Sequence, residues 1–599
     1  MAPTSSSTQR KVLLVGWAGA NWQALQPLLD AGAMPALNAL RTAGAWGNLA
    51  PIKPCVPPML WTSLSTGTRA DKHGVCSFFE PTDEGTGLSR VAAAQVRRPT
   101  VWNALSTDKQ SSVVVNWPAT AGGEQPHAFV ASDEYFRQIH SATQARRDSQ
   151  YTNGRLAKHV IECRCAAGDS ADERFGRVLD ALCHVHSVAC GLVEEQPWRL
   201  AAVCYPAVQE LVDCSPNPLT RAELTRSAWR LLDAMLAELM SAAGEAVNLI
   251  VASPCGDAGA STPLAQMGIL AAVGPSIEPE RQVYGATILD IAPTVRRLLR
   301  LKPDSAADGR VLSDMLCQEA ADRRSPYDLT PRDAAADAPR GAECRRSSFE
   351  VAPEVVSADE SQLELVRWNQ RLNLAHALHD SNRVTDAIAC WRTLWEERPA
   401  EPAYGVNLAS CLLRDRRLDE CRGVIERLPK SEREGVEVQL LLTRLALASK
   451  DIAEASALAM ELSARREADP HTLGEAASVL LECGHPDAAE AALRRAIEIA
   501  SGNAAAHVGL ARVWWQRDDA EQTAAEARKA LAIAPAYAEA RFLLAEALHR
   551  AGREREAIPE FERCLRDQWR TSDAHSHLAG LYAKRDAAMA VRHRELAGV

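Results

Sequence analysis

The chain has 599 residues, 47% of them hydrophobic and 24% charged, with 16 Cys and a formal net charge of -10. This length exceeds what one hydrophobic core supports and implies several units, while the composition excludes a collagen, a chain disordered throughout and a disulfide scaffold. The negative balance removes any general attraction for nucleic acid or an anionic membrane, short basic runs such as Arg345-Arg346 aside.

Residues 1–9 read as a disordered N-terminus. Arg10-Lys11, the apolar run Val12 to Val15 and Ala18-Gly19-Ala20 loosely imitate a signal peptide. The run is too short for that, and cleavage would remove the first strand of the domain that follows. No stretch approaches the roughly 20 apolar residues that cross a bilayer, so the cytoplasm is the expected compartment and no membrane partner is expected.

From residue 10 to 317, short β-branched runs alternate with helical patterns, as in a mostly parallel sheet covered by helices on both faces. The expected strands are Lys11 to Gly16, Ser112 to Asn116, Arg199 to Tyr205, Val247 to Ala252 and Gly268 to Val273. Each is mostly apolar without strict alternation, the pattern of a strand buried on both faces. Helices are expected over Asp172 to Glu195 and Thr220 to Ala243. Within the first lies Cys183-His184-Val185-His186, the nearest approach to metal-ligand spacing, but on a helix only one or two of these side chains share a face. No C-x-x-C pair occurs, and reduced, partly buried thiols are the expected state.

From 318 to 362 the composition turns to Ala, Asp, Arg, Pro and Ser with little apolar periodicity, which reads as a linker. Over 363–599 the chain repeats with a period of 34 residues. Small residues keep the phase at Ala375, Ala409, Thr443, Ala477, Ala511, Ala545 and Ala579, and again at Ala387, Cys421, Ala455, Ala489, Thr523 and Ala557. These are the places where the two helices of a hairpin approach closely. The repeat resembles the tetratricopeptide (TPR) repeat, which implies an all-α solenoid with a concave groove for a protein partner. No particular groove residues stand out.

The first domain carries several motifs in order: Gly16-Trp17-Ala18-Gly19-Ala20-Asn21-Trp22, then Leu28 to Pro35, Pro57-Pro58-Met59-Leu60-Trp61-Thr62-Ser63, and Thr66 to Gly74. Asn116-Trp117-Pro118 and Tyr284 to Thr294 follow. Together they resemble the type I phosphodiesterase domains of the alkaline phosphatase superfamily, over about residues 10–317. The resemblance implies an α/β fold and two-metal phosphoryl transfer, with Asp and His side chains holding two divalent cations beside a Thr or Ser nucleophile. Thr62 matches the nucleophile; as a structural residue it would serve as a helix N-cap.

The ligand positions depart from the family. Ala18 stands where the first Asp is expected, and Asn21 at the second acidic position. Glu210 and Cys214 replace an Asp and a His, Pro254 and Cys255 replace the Asp-His of S-D-H-G, and Leu264 takes the place of the last His. A shifted alignment would bring in Asp213 or Asp257, yet no His exists anywhere from residue 187 to 300. A divalent cation needs several anionic or imidazole donors, so the expectation is a catalytically degenerate domain with no cofactor. The alternative is a metal-dependent phosphodiesterase or phosphatase, with one zinc held by Glu210, Cys214 and Cys255 and with Thr62 as nucleophile. A third reading, binding of a phosphorylated ligand without turnover, would use Lys53, Arg69 and Lys72 as anchors.

Overall fold

A computed structural model describes residues 10–123, 126–141, 171–205, 218–256, 266–317, 352–381, 383–500, 502–534, 537–566, 570–583 and 586–597. They form two compact units, Met1–Asn382 and Arg383–Val599.

The first unit is built on strands β1 (Lys11–Trp17), β2 (Ala45–Ala50), β3 (Phe79–Pro81), β4 (Gly87–Arg90), β5 (Ser112–Val115), β6 (Ala128–Ala131), β7 (Leu200–Tyr205), β8 (Val247–Ala252), β9 (Gly268–Val273), β10 (Arg281–Thr287) and β11 (Val355–Ser357). Eight of them form one sheet in the order β10-β2-β9-β8-β1-β7-β5-β6. All its pairs are parallel except those of β9 with β2 and β8. The expected mostly parallel architecture is therefore present, and all five expected strands are found, with shifts of one residue at three ends.

Alternation along β1 explains the layering. Leu13, Val15 and Trp17 point into one core, with the helices Trp22–Asp30, Pro35–Ala43, Ala171–Glu195 and Pro218–Ala243. Val12 and Leu14 point into the other, with the helices Pro57–Thr66, Val101–Thr107 and Ile291–Leu298. One polar contact ties the first layer together. The buried Asp233 carboxylate accepts from the backbone N–H groups of Ala36 (3.0 Å) and Leu37 (2.8 Å). It thereby caps a helix whose own N-cap, Met34, has no side chain to offer.

The end of the expected linker is ordered structure. β11 pairs antiparallel with β4, and a helix runs from Glu360 to Asp380. That helix, the first of the 34-residue series, packs as part of the first unit. Asn373 Nδ2 donates to the Cys76 carbonyl (2.7 Å) and Gln370 Nε2 to that of Phe79 (3.2 Å), while Leu374 and Ala377 join the second core. Their spacing puts all of them on one helical face.

The second unit is a run of helical hairpins. Its leading helices begin 34 residues apart at Pro402, Val436, Pro470, Ala504 and Ala538. Every phase-marking small residue in it is buried. The polar ones are satisfied within their own hairpins: Thr443 Oγ1 donates to Gln439 O and Thr523 Oγ1 to Asp519 O, each at 2.7 Å, and Cys421 Sγ lies 3.3 Å from Ala409 O. Adjacent hairpins are also bridged, for example by Arg517 with Asp487 (2.5 Å) and Glu490 (2.6 Å). Among the described residues no helix is long and apolar enough to cross a membrane.

Candidate functional site

In a mostly parallel sheet, ligands bind outside the carboxyl ends of the strands. The register places three such ends side by side, since Gly16 of β1 stands opposite both Ala252 of β8 and Cys204 of β7. Ala18, Pro254 and Cys255 therefore lie just beyond the sheet at one edge. Among the described residues the side-chain donors at this edge are sparse. Ala18 and Pro254 offer no side-chain ligand, and Ser253 Oγ donates to the Cys255 carbonyl (2.7 Å), folding the short turn back on itself. Asn21 is a helix cap, its Oδ1 accepting from Ala24 N at 2.8 Å. Glu210, Asp213, Cys214, Asp257 and Leu264 lie outside the described residues. Among the described residues no group of three or more His, Cys, Asp or Glu side chains is arranged to hold a metal ion.

Aromatic packing occupies the same region. A Cβ on Gly16 would lie 2.6 Å from the Trp61 ring, so only glycine lets the indole close over the end of β1. Trp61 stacks edge-on with Trp117 (centroids 5.1 Å apart), and Trp117 with Trp102 (5.7 Å). Asn116, in the left-handed region at φ 53°, donates from Nδ2 to the Cys204 carbonyl (2.8 Å) and fastens the end of β5 to β7.

Thr62 does not cap a helix. Its helix starts at Pro57, with Val56 as N-cap, and the two prolines at its first positions are themselves a start signal. Thr62 is thus mid-helix and 2% exposed. Its carbonyl accepts from Thr66 Oγ1 (2.8 Å) and Ser65 Oγ (3.1 Å), but its own hydroxyl has no partner among the described residues. The side chain borders a cleft of about 370 Å3 between this helix and the segments 93–103 and 118–123.

The other retained motif residues have structural partners. Val75 N donates to His73 Nδ1 (3.1 Å), which fixes the proton on Nε2, and Nε2 then donates to Ser63 Oγ (2.8 Å). Burial pushes the His73 imidazole down to about 3, so it stays neutral. Asp290 accepts from Thr287 N (2.8 Å) and Arg310 N (2.7 Å), and Thr294 Oγ1 accepts from Leu312 N (2.9 Å), pinning the chain that follows Leu301. Lys72 is paired with Asp308 and donates to Ala306 O, while Arg69 N donates to Asp308 Oδ2 (2.9 Å). The Cys183–His186 group diverges as the helical period requires. His184 lies edge-on to Phe136 (centroids 5.4 Å apart), and His186 sits between the Tyr205 hydroxyl (2.8 Å) and Glu238 (2.9 Å).

Residues 12–290 match the family model for type I phosphodiesterase / nucleotide pyrophosphatase, and residues 372–433 and 475–538 that for the tetratricopeptide repeat. The chain is a type I phosphodiesterase-like domain followed by TPR repeats. No curated protein matches it. Among solved structures, human ectonucleotide pyrophosphatase / phosphodiesterase 5 is similar at 12% identity and TM-score 0.35, over 51% of this chain and 100% of that one. A human IFIT1 dimer with m7Gppp-AAAA is similar at 15% identity and TM-score 0.33, over 39% of this chain and 58% of that one. This chain thus spans little more than half the length of IFIT1. The C-terminal part of a TPR repeat-containing protein from Cytophaga hutchinsonii is similar at 14% identity and TM-score 0.29, over 37% of this chain and 93% of that one.

Proposed function

We propose that the phosphodiesterase-like domain is catalytically silent and that the protein works as a scaffold or regulator whose TPR repeats hold a protein partner, in the cytoplasm. The observation that carries this reading is the set of residues at the family's metal-ligand positions, where Ala18, Pro254 and Leu264 offer no donor and Glu210, Cys214 and Cys255 are what remains. Two divalent cations do not fit such a set. Without them the charge that develops on a phosphoryl group has no cationic stabilisation at this edge, and neutral His73, engaged with Ser63 and Val75, supplies none.

The test uses the full chain, with bound zinc and manganese measured by mass spectrometry and diester and monoester hydrolysis assayed beside Thr62→Ala. The expected result is substoichiometric metal and no hydrolysis above that of the variant. Stoichiometric metal together with turnover that Thr62→Ala abolishes would establish the enzyme and overturn the proposal.

A further inference from the structure

The last helix of the array, Ala587–Ala597, is held on the helix Thr571–Tyr582 by a narrow seam. Its inward face is short: Ala590 and His593 are buried, whereas Val591, Arg592, Arg594, Glu595 and Leu596 are exposed. Opposite it, Ser572, His575, Ala579 and Tyr582 recur at helical spacing and so share one face. Ser572 Oγ donates to the Ala597 carbonyl (2.9 Å), and the Tyr582 ring stacks on that of His593, with centroids 5.7 Å apart and planes 4° from parallel. Between these two contacts, His575 Nδ1 lies 2.8 Å from His593 Nδ1.

Proton counting shows what this contact tolerates. Two neutral imidazoles carry two hydrogens on four nitrogens, and the bond needs one of them between the Nδ1 atoms. A third proton then puts hydrogen on both Nε2 atoms. That of His593 is buried without a partner among the described residues, and a buried donor with no acceptor is costly. A fourth proton sets N–H against N–H and breaks the bond.

The surrounding charges do not reverse this. Burial holds both rings below the ordinary histidine value, and His593 adds to the effect at His575. At His593, Arg592 on its own helix adds to it, and Glu562 on the helix Glu554–Arg566 opposes it. Glu562 spends Oε1 on the Tyr582 hydroxyl (2.9 Å), Asp573 is turned to Arg570 (2.7 Å), and Asp586 caps the last helix through Met589 N (3.0 Å).

We infer that His575 and His593 form a pH-sensitive latch, which docks the last helix at neutral pH and releases it in mild acid, opening the end of the array. The inference is independent of whether the first domain is silent. Once undocked, each ring returns to about 6.5 and takes up a proton that the docked pair refuses. Docking is therefore complete above that value and weakens as the pH falls below it.

Hydrogen–deuterium exchange of the full chain at about pH 7.5 and about pH 5.5, corrected for the intrinsic pH dependence of exchange, tests it. Opening of residues 587–597 should rise about tenfold for each ring that stays neutral when docked, because at about pH 5.5 a free histidine is about ten parts protonated to one neutral. Peptides from Ala504–Gln516 should change by less than about threefold. His593→Asn, whose amide can donate to or accept from His575 Nδ1 without titrating, should cut the rise in 587–597 to about threefold or less. Exchange of the imidazole C2 hydrogens reads the titration of each ring in the wild-type chain, and both should fall below about 6.5. No rise in 587–597, a rise shared equally by all the hairpins, or a full rise in a docked His593→Asn overturns the latch. Titration of His593 at or above about 6.5 overturns it as well, and the wild-type readouts decide alone where the variant does not dock.

Discussion

Thr62→Val exchanges a hydroxyl for a methyl at a position that is 2% exposed. Both side chains are β-branched and similar in helix propensity, so rotamer and backbone costs nearly cancel. What remains is the hydroxyl itself, which has no partner among the described residues and so carries part of the penalty of about 1–3 kcal/mol for an unsatisfied buried group. The backbone around it is unaffected, because Ser65 and Thr66 bond to the Thr62 carbonyl rather than to its side chain. Removing the hydroxyl should therefore stabilise the unliganded protein by about 1 kcal/mol, a rise of about 2 °C in the Tm of the first unit. Scanning calorimetry in a buffer free of phosphate and carboxylate reads this directly, provided the transitions of the two units are resolved. A fall in Tm of about 2 °C in the unliganded variant would show that the hydroxyl is engaged, and would refute the description of it as an orphan.

The acid limb of stability should carry a signature of His73. Its folded value of about 3 lies below the ordinary 6.5, so as pH falls the unfolded chain takes up a proton first. The stability is fully present above pH 6.5 and is lost progressively down to about 3, at a slope of about 1.4 kcal/mol per pH unit. His73→Asn, which keeps an acceptor for Val75 N, should flatten that limb in urea titrations between about pH 4 and 7; an unchanged slope would assign the acid sensitivity elsewhere. Separately, a chain ending at Asn382 should resist proteolysis and melt several degrees above one ending at Cys317. The shorter chain loses the β11 pairing and the hydrogen bonds from Gln370 and Asn373. Equal melting temperatures would mean that the helix Glu360–Asp380 contributes nothing to the first unit.

The five strands legible in the sequence are those whose side chains are buried on both faces, because their apolar runs need no partner to be recognised. β2 and β10 escaped for the opposite reason. Ala45–Ala50 alternates buried and more exposed positions through Gly47 and Asn48, and Arg281–Thr287 is largely polar, so each is defined by its pairing with the other. β11 is exposed along its length and is held by backbone bonds to β4. The repeat phase was legible because close helix contact constrains residue size at fixed intervals. At the site, the flanking motifs are what single out Ala18, Pro254 and Cys255 in the sequence, whereas the capping reading of Thr62 fails because Pro57 and Pro58 start the helix five residues earlier. Two features were beyond sequence reasoning. Asp233 caps a helix 196 residues away, and the walls of the cleft beside Thr62 come together only when the segments around Thr62, Arg97 and Pro118 fold onto one another.

The regular spacing of the hairpins bears on how this protein changes over evolutionary time. Because each hairpin is supported mainly by its neighbours, excising or duplicating a whole unit downstream of Arg383 restores the same small-against-small contacts across the splice. The helix Glu360–Asp380 has no such freedom, since Gln370 and Asn373 bind it to Phe79 and Cys76. Variation in array length among descendants of this gene should accordingly accumulate after that helix, in multiples of 34 residues.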